Sequence, residues 1–465
     1  MKKTSMFSMR TARSTAFAPI ESLEERRLFA VSFDTYLIGP SPNLAPIASA
    51  ADGQGNVLVL GTFKGQVDFN PSSHKTFVVD GTSQGGADSY FVAKYSAKGG
   101  LYWVLPIRAN SADMTTPGLD SIAADSKGNF FLGGTIDGTI DADPGRKVRV
   151  RSAMSDSDGI LMHFRHDTKL LGATVVPLDE NTVNDGTQLK IDSLGNAYLG
   201  GTYTSADSGD DLGYVAKVSN TGNFSWWNNT EDAVGVTLGL DRADAPVLVT
   251  QNGTASSMAI TRYAATNGKL LSRQLLTTSA SQAGTITPVG VDFDAKNDPL
   301  IAGNLTGFSD FDPSNSAYIL GPKLATDASS NVFFAKYTPK GKLLFARVIG
   351  STGNDVAAGV SIDRATGNFF VAGSFDNSVD FDPGRPGVFI MDTGDRSDAA
   401  DALSDMFVAK FTDLGAFLNA AQLSAPASRD IAVSFSLAPK GRVYVLGNSG
   451  GLSSSDAISL FDTVR

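Results

Sequence analysis

The chain alternates short apolar segments with turn-forming residues, and one phrase, DSKGNFFLGGT at 125–135, sets the rhythm for the rest. Asp, Gly and Asn suit a tight turn, and the apolar, partly aromatic run behind them reads as a buried strand closed by Gly. Near-copies begin at 52, 192, 241, 294, 363 and 438, which makes seven in all. Successive starts lie 73, 67, 49, 53, 69 and 75 residues apart. A period that long, carried on strands, predicts propeller blades rather than a two-helix solenoid. The closing glycines suit a place where two backbones crowd, since no Cβ holds them apart.

Each unit can be written as four strands. In the second they are 120–125, 129–135, 158–165 and 170–176. Each alternates or is short and apolar with turn residues between, the form of an antiparallel meander. The third strand recurs as DSYFVAKY at 88, DLGYVAKV at 211, SSMAITRY at 256, SNVFFAKY at 330 and SDMFVAKF at 404. After the last turn copy only DAISLFDT, 456–463, remains, a third strand with no fourth. At the other end SFDTYLI, 32–38, is a fourth strand without its first three. Joined, they complete one blade and close the ring. The expected fold is therefore all-β: a seven-bladed propeller of four-stranded antiparallel blades over 31–465, behind a basic, Ser- and Arg-rich tail over 1–30.

Composition agrees. Of the 48 acidic residues only Glu21, Glu24, Glu25, Glu180 and Glu231 are Glu, and Asp prefers turns to helices. A net charge of −10 argues against a nucleic-acid partner. Without cysteine there is neither disulfide nor thiolate chemistry, and no apolar run reaches the ~18 residues of a membrane-spanning helix.

Two resemblances bear on function. LEERRLFA, 23–30, resembles the Leu-Glu-Pro-Arg-type sorting motif of exported bacterial proteins, matching at Leu23, Glu24, Arg26 and Leu28, with Glu25 in place of Pro and Phe29 in place of Leu. It implies an extracellular or envelope location. The phrases GGADSYFVAKYSAKGGLYW (85–103), DSIAADSKGNFFLGGT (120–135) and VDFDPG (379–384) resemble the bacterial seven-bladed propeller repeat family, SBBP. That family implies an extracellular accessory or adhesion-type module without a shared catalytic motif. The fourth and fifth units depart most, with Asp244 and Ala245 replacing Gly-Asn and Pro299 entering a strand.

Candidate chemistry is sparse. An Asp-x-Asp/Asn-Pro phrase follows the second strand at Asp68, Asn70; Asp141, Asp143; Asp310, Asp312; and Asp380, Asp382. Oxygens at i and i+2 point the same way and offer a weak Ca²⁺ site, the only cofactor the sequence suggests. The plainer reading is an Asx turn before Pro. Asp185, Asp232, Asp355 and Asp430 precede first strands, where they would ring one mouth of the axial channel or simply cap turns. Lys94, Lys217, Arg262, Lys336 and Lys410 share one register of the third strand and read as structural cations reaching toward acids. His163 and His166, three apart on a strand, face opposite ways and cannot chelate together. Trp103, Trp226 and Trp227 lie in fourth strands, where packing is the commoner use and sugar stacking the sharper one.

No serine elbow, P-loop or HExxH motif occurs, and the least unsuitable catalytic pair is Glu180 with Asp185. The expectation is a non-catalytic, exported, monomeric binding or surface-structural module. Its partner would be a protein or polysaccharide at the cell surface. The alternative is a polysaccharide hydrolase or lyase on the same scaffold.

Overall fold

The computed structural model describes residues 32–464 except 39–43, 71–74, 84–88, 110–113, 146, 179–181, 184–185, 231–232, 253–256, 280–283, 315, 323–327, 383, 385–388, 395–403, 424–427 and 452–456. The tail, with its sorting-type motif, lies outside the described residues.

The turn that opens each repeat shows why the strands begin where they do. Oδ1 of Asp125 accepts from the backbone N–H of Lys127 (2.8 Å) and of Asn129 (2.9 Å), while Asn129 Nδ2 donates to Oδ2 (2.8 Å). Gly128 takes the left-handed φ of 83° that the turn requires. One carboxylate thus satisfies three donors and aims Phe130–Ile136 back along the strand before it. Asp52 and Asp192 repeat the arrangement with Asn56 and Asn196.

The result is a β-propeller of antiparallel blades. In the first repeat the strands run from the axis outward as Leu44–Ala51, Val57–Phe63, Ser89–Tyr95 and Leu101–Ile107. Neighbouring sheets meet at apolar faces. Phe130, Leu132 and Ile160 of the second repeat, for example, pack with Leu58, Leu60 and Val92 of the first. The ends meet as expected. Ser32–Ile38 pairs antiparallel with Ala457–Val464, from Ser32 opposite Val464 to Ile38 opposite Ile458. The sheet order places this N-terminal strand outermost, beyond Ala457–Val464, Arg442–Gly451 and Ser428–Ala438. Inside, Val57 and Phe91 share a cluster with Tyr444 and Leu446, so the first and last repeats join through their cores as well.

One expectation needs correction: six blades, not seven, are four-stranded. In the third repeat the sheet has five strands, because the innermost strand is broken into Thr182–Val183 and Gln188–Ile191. Val183 faces Tyr203 and Gln188 faces Gly200, so five steps on one side span three on the other. Two more residues lie on the inner side than on the outer, so the pairing is interrupted there.

The closing glycines have a related cause. The first strand bulges once at Pro46/Ala48, Leu119/Ser121, Pro288/Gly290, Ala357/Gly359 and Ala432/Ser434. Opposite the second of these bulges a Cβ on Gly134 would lie 1.9 Å from Gly118 O; opposite the third, one on Gly303 would lie 2.0 Å from Thr287 O. The bulge pushes a carbonyl into the space only Gly leaves. The fourth repeat carries Thr250 at that position and its first strand runs without a bulge.

Candidate functional site

The described acids of the turns are committed to structure. Lys94 Nζ lies 2.8 Å from Asp52 Oδ2, Lys336 Nζ 2.8 Å from Asp294 Oδ2, Arg262 3.3 Å from Asp241 and Lys217 3.7 Å from Asp192. Lys410 stands over the Phe370 ring at 5.1 Å. The shared cation register is therefore a set of local bonds, each inside its own blade. Two of these cations also reach the next repeat, where Lys217 donates to Ala265 O (2.8 Å) and Lys336 to Asp413 O (3.1 Å). In the second repeat the register holds His163, opposite Phe131 and stacked on its ring at 3.9 Å. Burial lowers its pKa, and the charge of Asp125 offsets part of that. His166 lies on the turn and takes a bond from its own N–H to Asn129 Oδ1 (3.2 Å).

The Asp-Pro phrases build something the sequence reading missed. Each starts an antiparallel ribbon: Gln66–Asp68 with Val78–Asp80, Thr139–Asp141 with Val150–Ser152, Ser309–Asp310 with Ile319–Leu320, and Ser378–Asp380 with Ile390–Asp392; the third also pairs with Thr278–Ser279 of the repeat before it, so its sheet has three strands. The first Asp staples each ribbon. Asp68 Oδ1 accepts from Asn70 N (3.0 Å) and Phe77 N (2.7 Å), and Asp141 Oδ1 from Asp143 N (3.0 Å) and Arg149 N (2.8 Å). Asp310 does the same with Asp312 N (3.0 Å) and Tyr318 N (2.7 Å), and Asp380 with Asp382 N (3.1 Å) and Phe389 N (3.4 Å). Asp143, Asp312 and Asp382 each cap a further turn, at Gly145, Ser314 and Gly384. The ribbons also explain the spacings. Among the six repeats followed by another copy, those that begin at 192 and 241, with the shortest intervals, are the ones in which no ribbon is described.

Of the acids expected at a channel mouth, Asp185 and Asp232 lie outside the described residues, as do Glu180 and Glu231. Asp355 and Asp430 do not line an open mouth, with 1% and 0% of their surface exposed. Asp355 Oδ2 accepts from Ser351 N (2.7 Å) and Oδ1 from Asp376 N (3.1 Å). Burial, helped by the Asp376 charge, pushes the Asp355 carboxyl up to about 7. Asp405, buried and close to Asp430, is pushed up to about 6 for the same reason.

The innermost strands are mainly apolar, and the polar side chains they do carry meet one another between repeats. Ser49 meets Ser434 at 3.1 Å and Ser121 meets Thr187 at 3.1 Å, while Gln188 accepts from Thr237 at 2.9 Å. Lys190 stands out among them. It is open to solvent although it sits on the innermost strand, as a side chain in a tunnel would be. Enclosure lowers its pKa, against the pull of the Asp292 charge. A lone Lys in a first strand was the sequence signal for it.

The rim is different in character. Each ribbon exposes apolar side chains from its second half: Phe77 and Val78, Val148 and Val150, Tyr318 and Ile319, and Ile390. Beside the third ribbon lies a cleft of about 440 Å³, lined by Tyr318, Leu320, Arg347, Val348 and Gly384 among others. Arg347 lies on Leu343–Ile349, the outer strand of the fifth repeat. Its NH1 donates to Tyr318 Oη (3.3 Å) and Ala346 O (2.8 Å).

No protein-family model matches the chain, and no curated protein matches it by sequence. Solved structures resemble it in fold alone. The Dos1 propeller is 10% identical, with a TM-score of 0.43, over 92% of this chain and 95% of that one. Hydrazine synthase of Kuenenia stuttgartiensis is 8% identical, with a TM-score of 0.48, over 90% and 96%. The α-L-arabinofuranosidase Arb93A of Fusarium graminearum is 9% identical, with a TM-score of 0.42, over 94% and 98%.

Proposed function

We propose that this chain is an exported, non-catalytic β-propeller that serves as a binding module at the cell envelope. The five-stranded sheet counts as its seventh blade. The observation that carries the reading is the rim, where four ribbons, each stapled by an Asp, hold apolar side chains out in water. Exposed apolar groups on a rigid support are what a binding surface needs, because little order is lost when a partner arrives. The resemblance to the SBBP repeats and the LEERRLFA tail support the envelope location. The second carboxylate oxygens of Asp68 and Asp310, which accept no hydrogen bond among the described residues, leave room for weak Ca²⁺ binding that would stiffen the same ribbons.

Cell fractionation followed by co-sedimentation of the purified chain with isolated envelopes tests the reading. The chain is expected in the envelope or medium, and binding is expected to fall when Phe77, Val78, Val148 and Val150 are replaced together by Ser. A chain found only in the cytosol with residues 23–30 intact, or binding indifferent to the four replacements, overturns it.

A further inference from the structure

We infer that the cleft at Tyr318 and Arg347 is a subsite for a carboxylated sugar, a uronic acid unit of an acidic polysaccharide. The inference rests on the rim-binding reading above and names its ligand.

Three features of the cleft point this way. Its volume of about 440 Å³ falls in the range of small-ligand sites, and it lies open along the rim, as a chain-like ligand requires. One wall is the Tyr318 side chain, 39% exposed, an aromatic surface of the kind on which the C–H face of a pyranose packs. The other is a guanidinium already oriented. NH1 of Arg347 is held by Tyr318 Oη and Ala346 O, while Nε and NH2 have no hydrogen-bond partner among the described residues. A planar group fixed through one nitrogen, with two donors free, is prepared for a carboxylate. Leu320 and Val348 complete the lining with aliphatic surface.

The same bonds argue against a peptide adding itself to the blade edge. Strand addition uses the outward carbonyls of the outer strand. Ala346 O accepts from Arg347 NH1, and Tyr318 Oη lies 3.5 Å from it, so the edge is capped where a peptide would have to pair. A saccharide, held by side chains, does not need that carbonyl.

The test is calorimetric titration of the full chain with trigalacturonate and, separately, with its fully methyl-esterified form, which keeps the sugar rings and loses the charge. The acid is expected to bind at least ~10-fold more tightly than the ester, about the worth of one charge-assisted pair. Arg347→Met should abolish that preference, Arg347→Lys should restore part of it, and Tyr318→Ser should weaken acid and ester alike. Melting temperatures unchanged from the parent show that each variant is folded. Equal binding of acid and ester, a preference that survives Arg347→Met, or no binding of either at ~10 mM overturns the subsite. If envelopes still retain the chain when any of these negative results is found, the rim-binding reading survives and only the ligand assignment falls.

Discussion

The ammonium of Lys94 occupies the space beside Gly128 of the next repeat, where a Cβ would lie 2.9 Å from Nζ. Lys94 is at the same time 2.8 Å from Asp52 Oδ2, with the two side chains only 9% and 1% exposed. A buried ion pair in one blade is thus sealed by a glycine turn of its neighbour, and the seam between blades depends on both.

Lys94→Met should therefore cost on the order of 3 kcal/mol, because it strands the Asp52 carboxylate in a buried site. Burial alone would raise the pKa of Asp52, but the bonds from Lys94, Asn56 and Gln54 outweigh it and hold the group below 3.8. Its folded pKa is depressed, so its contribution is present above pH ~4 and lost as pH falls through the folded value. Urea titrations of parent and variant at pH 3 and pH 7 check this. The difference between them should shrink on acidification.

Asp355 predicts the opposite slope. Its carboxyl is raised to about 7 by burial, so folding is penalised wherever the unfolded chain would ionise it, and the penalty grows as pH rises from ~4 to ~7. Asp405, raised to about 6, adds to this. The protein should melt at a higher temperature at pH 5.5 than at pH 8. With Asp355 and Asp405 both replaced by Asn, the melting temperature should change less across that window. A parent whose stability is flat or rising from pH 5.5 to 8 contradicts the assignment.

The register that holds Gly303 and Thr250 in adjacent repeats should respond in opposite ways. Gly303→Ala puts a methyl 2.0 Å from Thr287 O with the Phe333 ring 2.8 Å away, and should cost more than ~3 kcal/mol or leave the protein insoluble. Thr250 is fully buried and its hydroxyl has no partner among the described residues. Thr250→Val removes that unpaired group at nearly constant volume, so it should be neutral or stabilise by about 1 kcal/mol, measured by urea midpoint.

The ribbon staple can be isolated at Asp310. Asp310→Ala releases the N–H groups of Asp312 and Tyr318, and should cost about 1 to 2 kcal/mol locally. Limited proteolysis should then cut near 310–320 faster than in the parent. If these loops also take Ca²⁺, millimolar Ca²⁺ should raise the melting temperature of the parent and raise it less in a variant with Asp68, Asp141, Asp310 and Asp380 all replaced. No shift in the parent would remove calcium from the picture.

What was legible beforehand follows from locality. Leu170–Val176 has the bounds that alternation and turn residues predict. The pairing of Ser32–Ile38 with Ala457–Val464 was legible too, since a missing strand at one end matched a spare one at the other. The cation register was read as structural, and Lys94, Lys217, Arg262 and Lys336 do reach acids while Lys410 lies over the Phe370 ring.

The rest was not local. The third repeat breaks its inner strand because two more residues lie between Val183 and Gln188 than between Tyr203 and Gly200. That mismatch exists only once the two strands are aligned in space. Asp355 and Asp430 look like mouth residues in the sequence, yet both are buried, and the acids whose charges they meet, Asp376 and Asp405, arrive from other strands.

By itself, then, the amino-acid order determined the all-β class, the limits of the more regular strands and the meeting of the two ends. Those depend on residues a few places apart or on a simple count of strands. Tertiary structure alone decided that Lys190 is exposed on an innermost strand, that Asp355 is hidden, and that Tyr318 and Arg347 face one cleft from 29 residues apart. Exposure and ionisation are set by which distant atoms exclude water from a group, and no local pattern along the chain records that.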